Sequence, residues 1–343
     1  MKSYLVQEIP DGSFFSKPVF LDNHFVVAAP ETPFSPDLIK ALKDWEFKEV
    51  FTNGEPQDSY AGGENGLVES SGLSDSDNAR RTEDFYQKLL DYTEDLFTHI
   101  AIAGTLTHIA IAGTLDLNSI TGKIKSLCDI IKEDHHFLLR IQKSADLENK
   151  PNYLASHAVK STVIALVIGS YLKLPNHRLI ELGIAALLHE VGMLQIPSQT
   201  YLTSRELSPK ERKIMLTHPI LGFNLLKSFN FPLTISLAAL EHHERENGTG
   251  YPQRLTGDKI SFYAKIIAVA CSYEALTANR PHKIAKDGHT GMLDLLKNEG
   301  KQYDDTVVRA LVFSLSLYPI GLYVLLSSGQ KGQVVDVNPE NPR

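Results

Sequence analysis

The apolar positions of this chain fall into two regimes, separated by a stretch that has almost none. In residues 1–54, short apolar runs such as FLDNHFVVAAP alternate with turns and with the amphipathic segment SPDLIKALKDW. The helix has its start signal at Ser35, with Pro36 at the first helical position, where a missing N–H costs a helix nothing. The pattern predicts a small α/β module. Residues 55–79 are rich in Gly, Ser, Asp, Glu and Asn. Such a stretch buries too little apolar surface to offset the entropy of ordering, so a flexible linker is expected over 55–81.

From Thr82 the spacing becomes helical. Segment 82–149 predicts connecting helices, in which ITGKIKSLCDIIKE supplies an apolar stripe. It also holds a duplication, because THIAIAGTL at 98–106 recurs unchanged at 107–115. Nine residues make about two and a half helical turns, so the copies present their isoleucines on opposite faces. A dimer contact, a partly looped-out segment and a duplication without function all stay open. Beyond residue 152, helices are predicted near 153–172, 178–190, 208–228, 232–245, 257–278, 290–297 and 304–317. The tail GLYVLLSSGQKGQVVDV reads as two short strands around Gly329 and Gly332. The expected fold of 150–343 is therefore mainly α, a bundle closed by a small C-terminal β hairpin.

Composition narrows the function classes. At 343 residues, with 43% hydrophobic and 22% charged positions, the chain is an ordinary globular protein. A net charge of −7 argues against DNA or RNA as the main partner. It does not exclude an anionic substrate, because bound cations reverse the local sign. Cys128 and Cys271 cannot form a secreted disulfide framework, and MKSYLVQEIPDG offers no signal peptide, so a cytoplasmic location is expected. Residues 96–115 and 310–328 lack Asp, Glu, Lys and Arg. Pro319 and Gly321 interrupt the second stretch, and His99, His108 and threonines dilute the first. Buried or partner-facing helix is the reading favoured over membrane insertion.

The candidate chemistry lies in the histidines. His157, His189, His218 and the pair His242–His243 come from four different predicted helices, the way bundle cores assemble metal sites. Glu190 follows His189 directly, and a carboxylate can bridge two cations. Neutral imidazoles bind divalent iron, zinc or manganese without adding charge, and two cations together can clamp a phosphodiester. After the histidine pair, ENGTGYP contains too much Gly and Pro for helix and must be a tight loop. Tyr251 in that loop could stack on a base or pack inward. Arg280 and Lys283, in TANRPHK, could hold phosphate or be ordinary surface charge.

With these segments in order, the region 150–342 resembles the HD-GYP family, metal-dependent phosphodiesterases that hydrolyse cyclic di-GMP. LLHEVG, HPILGFNLL, HHERENGTGYPQRLTG, ACSYEALTANRPHK and YPIGLYVLLSSGQKGQVVDVNPENP carry the resemblance. Arg343 falls where a further short strand would be expected. The resemblance implies an HD-domain-like helical bundle and two metals, iron or manganese, with zinc compatible. One metal would take His157, His189, Glu190 and Cys271; the other would take Glu190, His218, His242 and His243. Glu190, His189, Arg280 and Lys283 would be catalytic, through a metal-bridging hydroxide. Gly250, Tyr251, Pro252, Arg280 and Lys283 would hold the nucleotide. Tyr153 stands where a third metal would need an acidic ligand, which favours two. The chain departs from the family at Glu190 (Asp expected), Met193 (Lys), Cys271 (Asp) and Asn247 (acidic), while Glu274 fills a second acidic position. Two functions follow as expectations: hydrolysis of cyclic di-GMP to the linear dinucleotide or GMP, or a degenerate member. The latter would bind metal and nucleotide and signal through a homodimer or a protein partner.

Overall fold

The structure, a computed structural model, describes residues 2–10, 13–17, 19–21, 26–28, 34, 36–44, 47–57, 75–105, 116–144, 153–203, 205–278, 286, 288–315, 323–325 and 331–334. The second copy of the repeat, 107–115, lies outside them, as do Arg280 and Lys283. Two compact units are present, Met1–Gly72 with Tyr318–Asn338, and Leu73–Leu317 with Pro339–Arg343.

The first unit contains β1 (Lys2–Leu5), β2 (Phe14–Phe15), β3 (Val19–Phe20), β4 (Val26–Ala28), α1 (Pro36–Asp44), β5 (Glu49–Thr52) and β6 (Pro56–Gln57). Its main sheet has the order β1-β5-β3-β4, antiparallel throughout, with Lys2 opposite Thr52 and Leu5 opposite Glu49. Val6, Phe15, Val19, Phe34, Leu42 and Val50 form a small separate core. Among the described strands no parallel pair needs a helical crossover, so the module is a small antiparallel sheet with one helix.

The second unit holds α2 (Asp75–Thr105), α3 (Leu117–Ser144), α4 (Tyr153–Tyr171), α5 (Asn176–Leu188), α6 (Ser198–Tyr201), α7 (Pro209–Met215), α8 (His218–Ser228), α9 (Leu233–Glu241), α10 (Phe262–Thr277), α11 (Gly288–Leu296) and α12 (Asp305–Leu315). The helix expected over 208–228 is two. A capping box of Ser208 and Glu211 starts α7, and the chain turns at Leu216–Thr217 before α8 restarts with Pro219 in its first turn. The hairpin needs correction. The bundle ends on α12, and the paired strands β7 (Tyr323–Leu325) and β8 (Lys331–Gln333) group with the first unit. A strand pair read from local pattern says nothing about which core receives it.

α4 is apolar on every face and buried from Leu154 to Gly169, as a central helix must be. It packs against α2, α3, α5, α10 and α12. Among the described residues it alone is long and apolar enough to cross a membrane, and 89% of that stretch is buried within the bundle. Gly183 of α5 lets the neighbours close in: a Cβ there would lie 2.5 Å from Ile124 and 3.2 Å from Leu166. Leu166→Ala opens a void beside this contact, and thermal or urea unfolding should register a loss of about 2–5 kcal/mol.

Candidate metal centre

Three histidines of the site sit just beyond the ends of helices. His189 is the C-cap of α5 and His242 the C-cap of α9, while His218 follows the last residue of α7 by three positions. The last carbonyls of a helix lack intrahelical partners, and each imidazole supplies one. His189 Nδ1 donates to Ala186 O at 2.6 Å, His218 Nδ1 to Met215 O at 2.7 Å and His242 Nδ1 to Ala239 O at 2.9 Å. A carbonyl can only accept, so Nδ1 carries the hydrogen and the neutral ring keeps its lone pair on Nε2. His157, on α4, is set the same way by a carboxylate, since its Nδ1 pairs with Glu274 of α10. Tyr153 stacks on the His157 ring, centroids 6.1 Å apart.

These lone pairs converge on Glu190. Its Oε2 lies 3.3 Å from His218 Nε2, and its Oε1 lies 3.9 Å from His157 Nε2 and 4.0 Å from His242 Nε2. His218 Nε2 and His242 Nε2 face each other at 3.3 Å, two lone pairs with no proton between them in these tautomers. His189 Nε2 and Glu190 Oε2 are buried and have no hydrogen-bond partner. Buried acceptors without donors are costly, and a cation relieves all of them at once. The donor set therefore fits divalent metal. Two His/Glu clusters are positioned to coordinate it: His157, His189 and Glu190, and Glu190, His218, His242 and His243.

Electrostatics agree with this geometry. Burial lowers the pKa of His189 to about 4. Burial, and then the neighbouring His243, His189 and His218, holds His242 well below the usual imidazole range. Burial also depresses His243, helped by His218. These rings stay neutral and available as ligands. Burial alone would raise Glu190, but His218, His189, His157 and His243, once protonated, outweigh it and hold the carboxyl down to about 2.

Glycine makes the convergence possible. Glu190 leads into a tight turn, Val191–Gln195, that lies on α8. A Cβ on Gly192 would stand 1.9 Å from His218 O and 2.5 Å from Gly222 N, so only glycine brings Glu190 this close to His218. Gly250 is similarly bound, with a virtual Cβ 2.5 Å from Arg245 N and Glu244 Cα. The loop following the histidine pair is held by Glu244, whose buried carboxylate accepts from Gln253 N at 2.6 Å, Arg254 N at 3.1 Å and Leu255 N at 2.9 Å. Tyr251, half-buried and with its hydroxyl pKa raised by desolvation, stacks on His243 at 4.6 Å.

One expected ligand is overturned. Cys271 belongs to neither cluster; its thiol is buried in α10 and donates to Ala268 O at 3.5 Å. Glu274, one turn further along the same helix, meets the site instead, through His157. The metal-binding residues are His and Glu, with neither thiolate nor Met193 among them. Met193 is 4% exposed and belongs to the apolar core. Glu244 and Gly192 escaped the sequence reading. A carboxylate placed just before a Gly/Pro loop, whose amides need an acceptor, was the available signal for Glu244.

Residues 143–307 match the family model of the HD domain. The chain is 30% identical over 191 residues to cyclic di-GMP phosphodiesterase PdeB of Borreliella burgdorferi, covering 56% of this chain and 50% of that one. It is 29% identical over 173 residues to 3'3'-cGAMP-specific phosphodiesterase 3 of Vibrio cholerae, covering 50% and 38%. The chain spans about half the length of the curated relatives it matches. In fold it is similar to Bd1817, a HDG"Y"P protein from Bdellovibrio bacteriovorus, with a TM-score of 0.53, 14% identity and coverage of 90% of this chain and 97% of that one.

Two outcomes follow. Gly192→Ala should abolish tight metal binding, measured by elemental analysis after gel filtration, because the backbone must move away from His218. The metal-free protein should lose stability as pH falls from about 6.5, the unfolded histidine value, towards 4, the value of folded His189. Across that window the unfolded chain binds protons that the folded site refuses. Unfolding midpoints in chelator check this, and a flat profile would contradict it.

Proposed function

We propose that the helical domain is a metal-dependent phosphodiesterase of cyclic dinucleotides, with cyclic di-GMP as the first candidate substrate. The observation that carries the proposal is the pair of ligand groups joined at one carboxylate, Glu190. The names of the relatives support the substrate class, and because they include both cyclic di-GMP and cGAMP enzymes, both nucleotides belong in the test.

When bound, two divalent cations would supply Lewis acidity towards a phosphoryl oxygen and lower the pKa of water. The chain's own residues prepare for that. His157, His189, His218, His242 and His243 present neutral donors, and Glu190 supplies the negative charge shared by both groups. Glu274 holds His157 in its tautomer and strengthens it as a donor. Glu244 fixes the loop of Gly250, Tyr251 and Pro252, so that Tyr251 keeps one face on His243 and is assigned to line the nucleotide site with the other. Arg280 and Lys283 are assigned to phosphate or guanine.

Met193 favours a second reading. A buried apolar side chain stands where the family provides lysine, so one cationic contact to the reacting phosphate is missing. Removing a contact of this kind costs on the order of 100-fold in rate. Under this reading the domain binds metal and nucleotide and turns over slowly or not at all.

The experiment incubates iron- or manganese-loaded protein, metal content measured, with cyclic di-GMP and in parallel with 3'3'-cGAMP, and separates the products. Linear dinucleotide or mononucleotide is expected, and His189→Ala should lose metal and turnover together. Absence of turnover in fully loaded protein would sink the hydrolase reading. Nucleotide binding by calorimetry in that same sample would then establish the second.

A further inference from the structure

His243 differs from the other four histidines of the site. His157, His189, His218 and His242 are each oriented by an Nδ1–H hydrogen bond, whereas among the described residues the His243 side chain makes none. Its ring is placed by contacts alone, 4.2 Å from His242, 5.0 Å from His218 and 4.6 Å from Tyr251 between centroids. Where His243 points therefore depends on where its own loop is held.

That loop is held from outside by the turn between α11 and α12. Glu246 N donates to Gln302 O at 3.2 Å and Asn247 N to Lys301 O at 2.9 Å. Lys265 of α10 bridges Glu246 and Asp304, 3.0 Å from each, and Asp304 also accepts from Val307 N at the start of α12. At the centre of this arrangement the Arg245 guanidinium lies 4.7 Å over the Tyr303 ring. Arg245 Nη1 is buried and has no hydrogen-bond acceptor, which makes the aromatic face an important compensation for its charge. Tyr303 is 8% exposed, and its hydroxyl donates to Ser272 Oγ at 3.0 Å on α10.

We infer that Tyr303, outside both ligand groups, is a positioning residue for the second of them: its ring carries Arg245 and so sets His243. Arg245 is two residues from His243, and the loop between Glu244 and Tyr251 is held from two sides. Glu244 ties it inward to residues 253–255, and Tyr303 with Lys265 ties it outward. The first group, His157, His189 and Glu190, has no member on this loop. Loss of the Tyr303 ring should therefore act on one metal and leave the other alone. This inference rests on the metal reading above.

The test titrates the metal-free chain of residues 1–343 with Co(II) and follows both the binding isotherm and the visible ligand-field bands, which report coordination geometry. Wild-type protein should take two equivalents. Tyr303→Leu should bind the first unchanged and the second at least about tenfold more weakly, the scale for losing a residue that orients a ligand, with altered bands for the second. Tyr303→Phe, which keeps the ring and loses only the bond to Ser272, should match wild type. Arg245→Met should reproduce Tyr303→Leu, with Arg245→Lys recovering most of the affinity; this pair decides the matter if Tyr303→Leu does not fold. Wild-type binding of both equivalents by Tyr303→Leu or Arg245→Met would overturn the inference. So would a parallel weakening of both equivalents that tracks the folded fraction by circular dichroism. Failure of the wild-type protein to take two equivalents would instead remove the metal reading, and this inference with it.

Discussion

A neutral imidazole has one N–H to give, and the whole site depends on where four of these histidines give it. His189, His218 and His242 donate outward to the last carbonyls of α5, α7 and α9, and His157 donates to Glu274. One bond thus does two things: it satisfies a helix end or a buried carboxylate, and it leaves a lone pair facing inward. The lone pairs cannot turn away without exposing an unsatisfied carbonyl behind them. In this sense the preference for a cation is set by ordinary helix termination.

Convergence also needs close backbones. The turn after Glu190 rests directly on α8, and the contact of Gly192 with His218 and Gly222 leaves no room for any side chain. The apolar α4 at the centre of the bundle fixes the other side, carrying His157 against α10. The histidine pair is framed by two acids that never reach the centre: Glu241 accepts from Ser261 N at 2.7 Å at the start of α10, and Glu244 gathers the loop. In the string EHHE the inner two residues look at the site and the outer two build its walls.

Much of this was legible in the chain. Helices α4, α5, α9, α10 and α12 follow from their apolar runs, and the candidate ligands from the histidines that those runs carry or end on. The Glu190 bridge position followed from its adjacency to His189. Cys271 was misread because it and Glu274 lie three residues apart on one helix, within a turn of each other, and sequence alone cannot phase that helix on the site. The tail strands were seen as strands, but their unit depends on long-range packing that local alternation does not encode. Gly192 was silent for the same reason: its necessity comes from α8, which is close in space and carries no local mark. The outward anchoring by Tyr303 joins residues almost sixty positions apart.

The helix ends have one more consequence. α5 and α9 both terminate at the site, so the negative ends of two backbone dipoles point towards Glu190. α8 begins there at His218 and opposes them in part. Before any metal is present, the cluster offers a carboxylate, two carbonyl-rich helix ends and neutral rings, a field that repels phosphate. For any anionic ligand, bound cations would reverse that sign. The backbone itself thus favours a cation over an anion at this point of the fold.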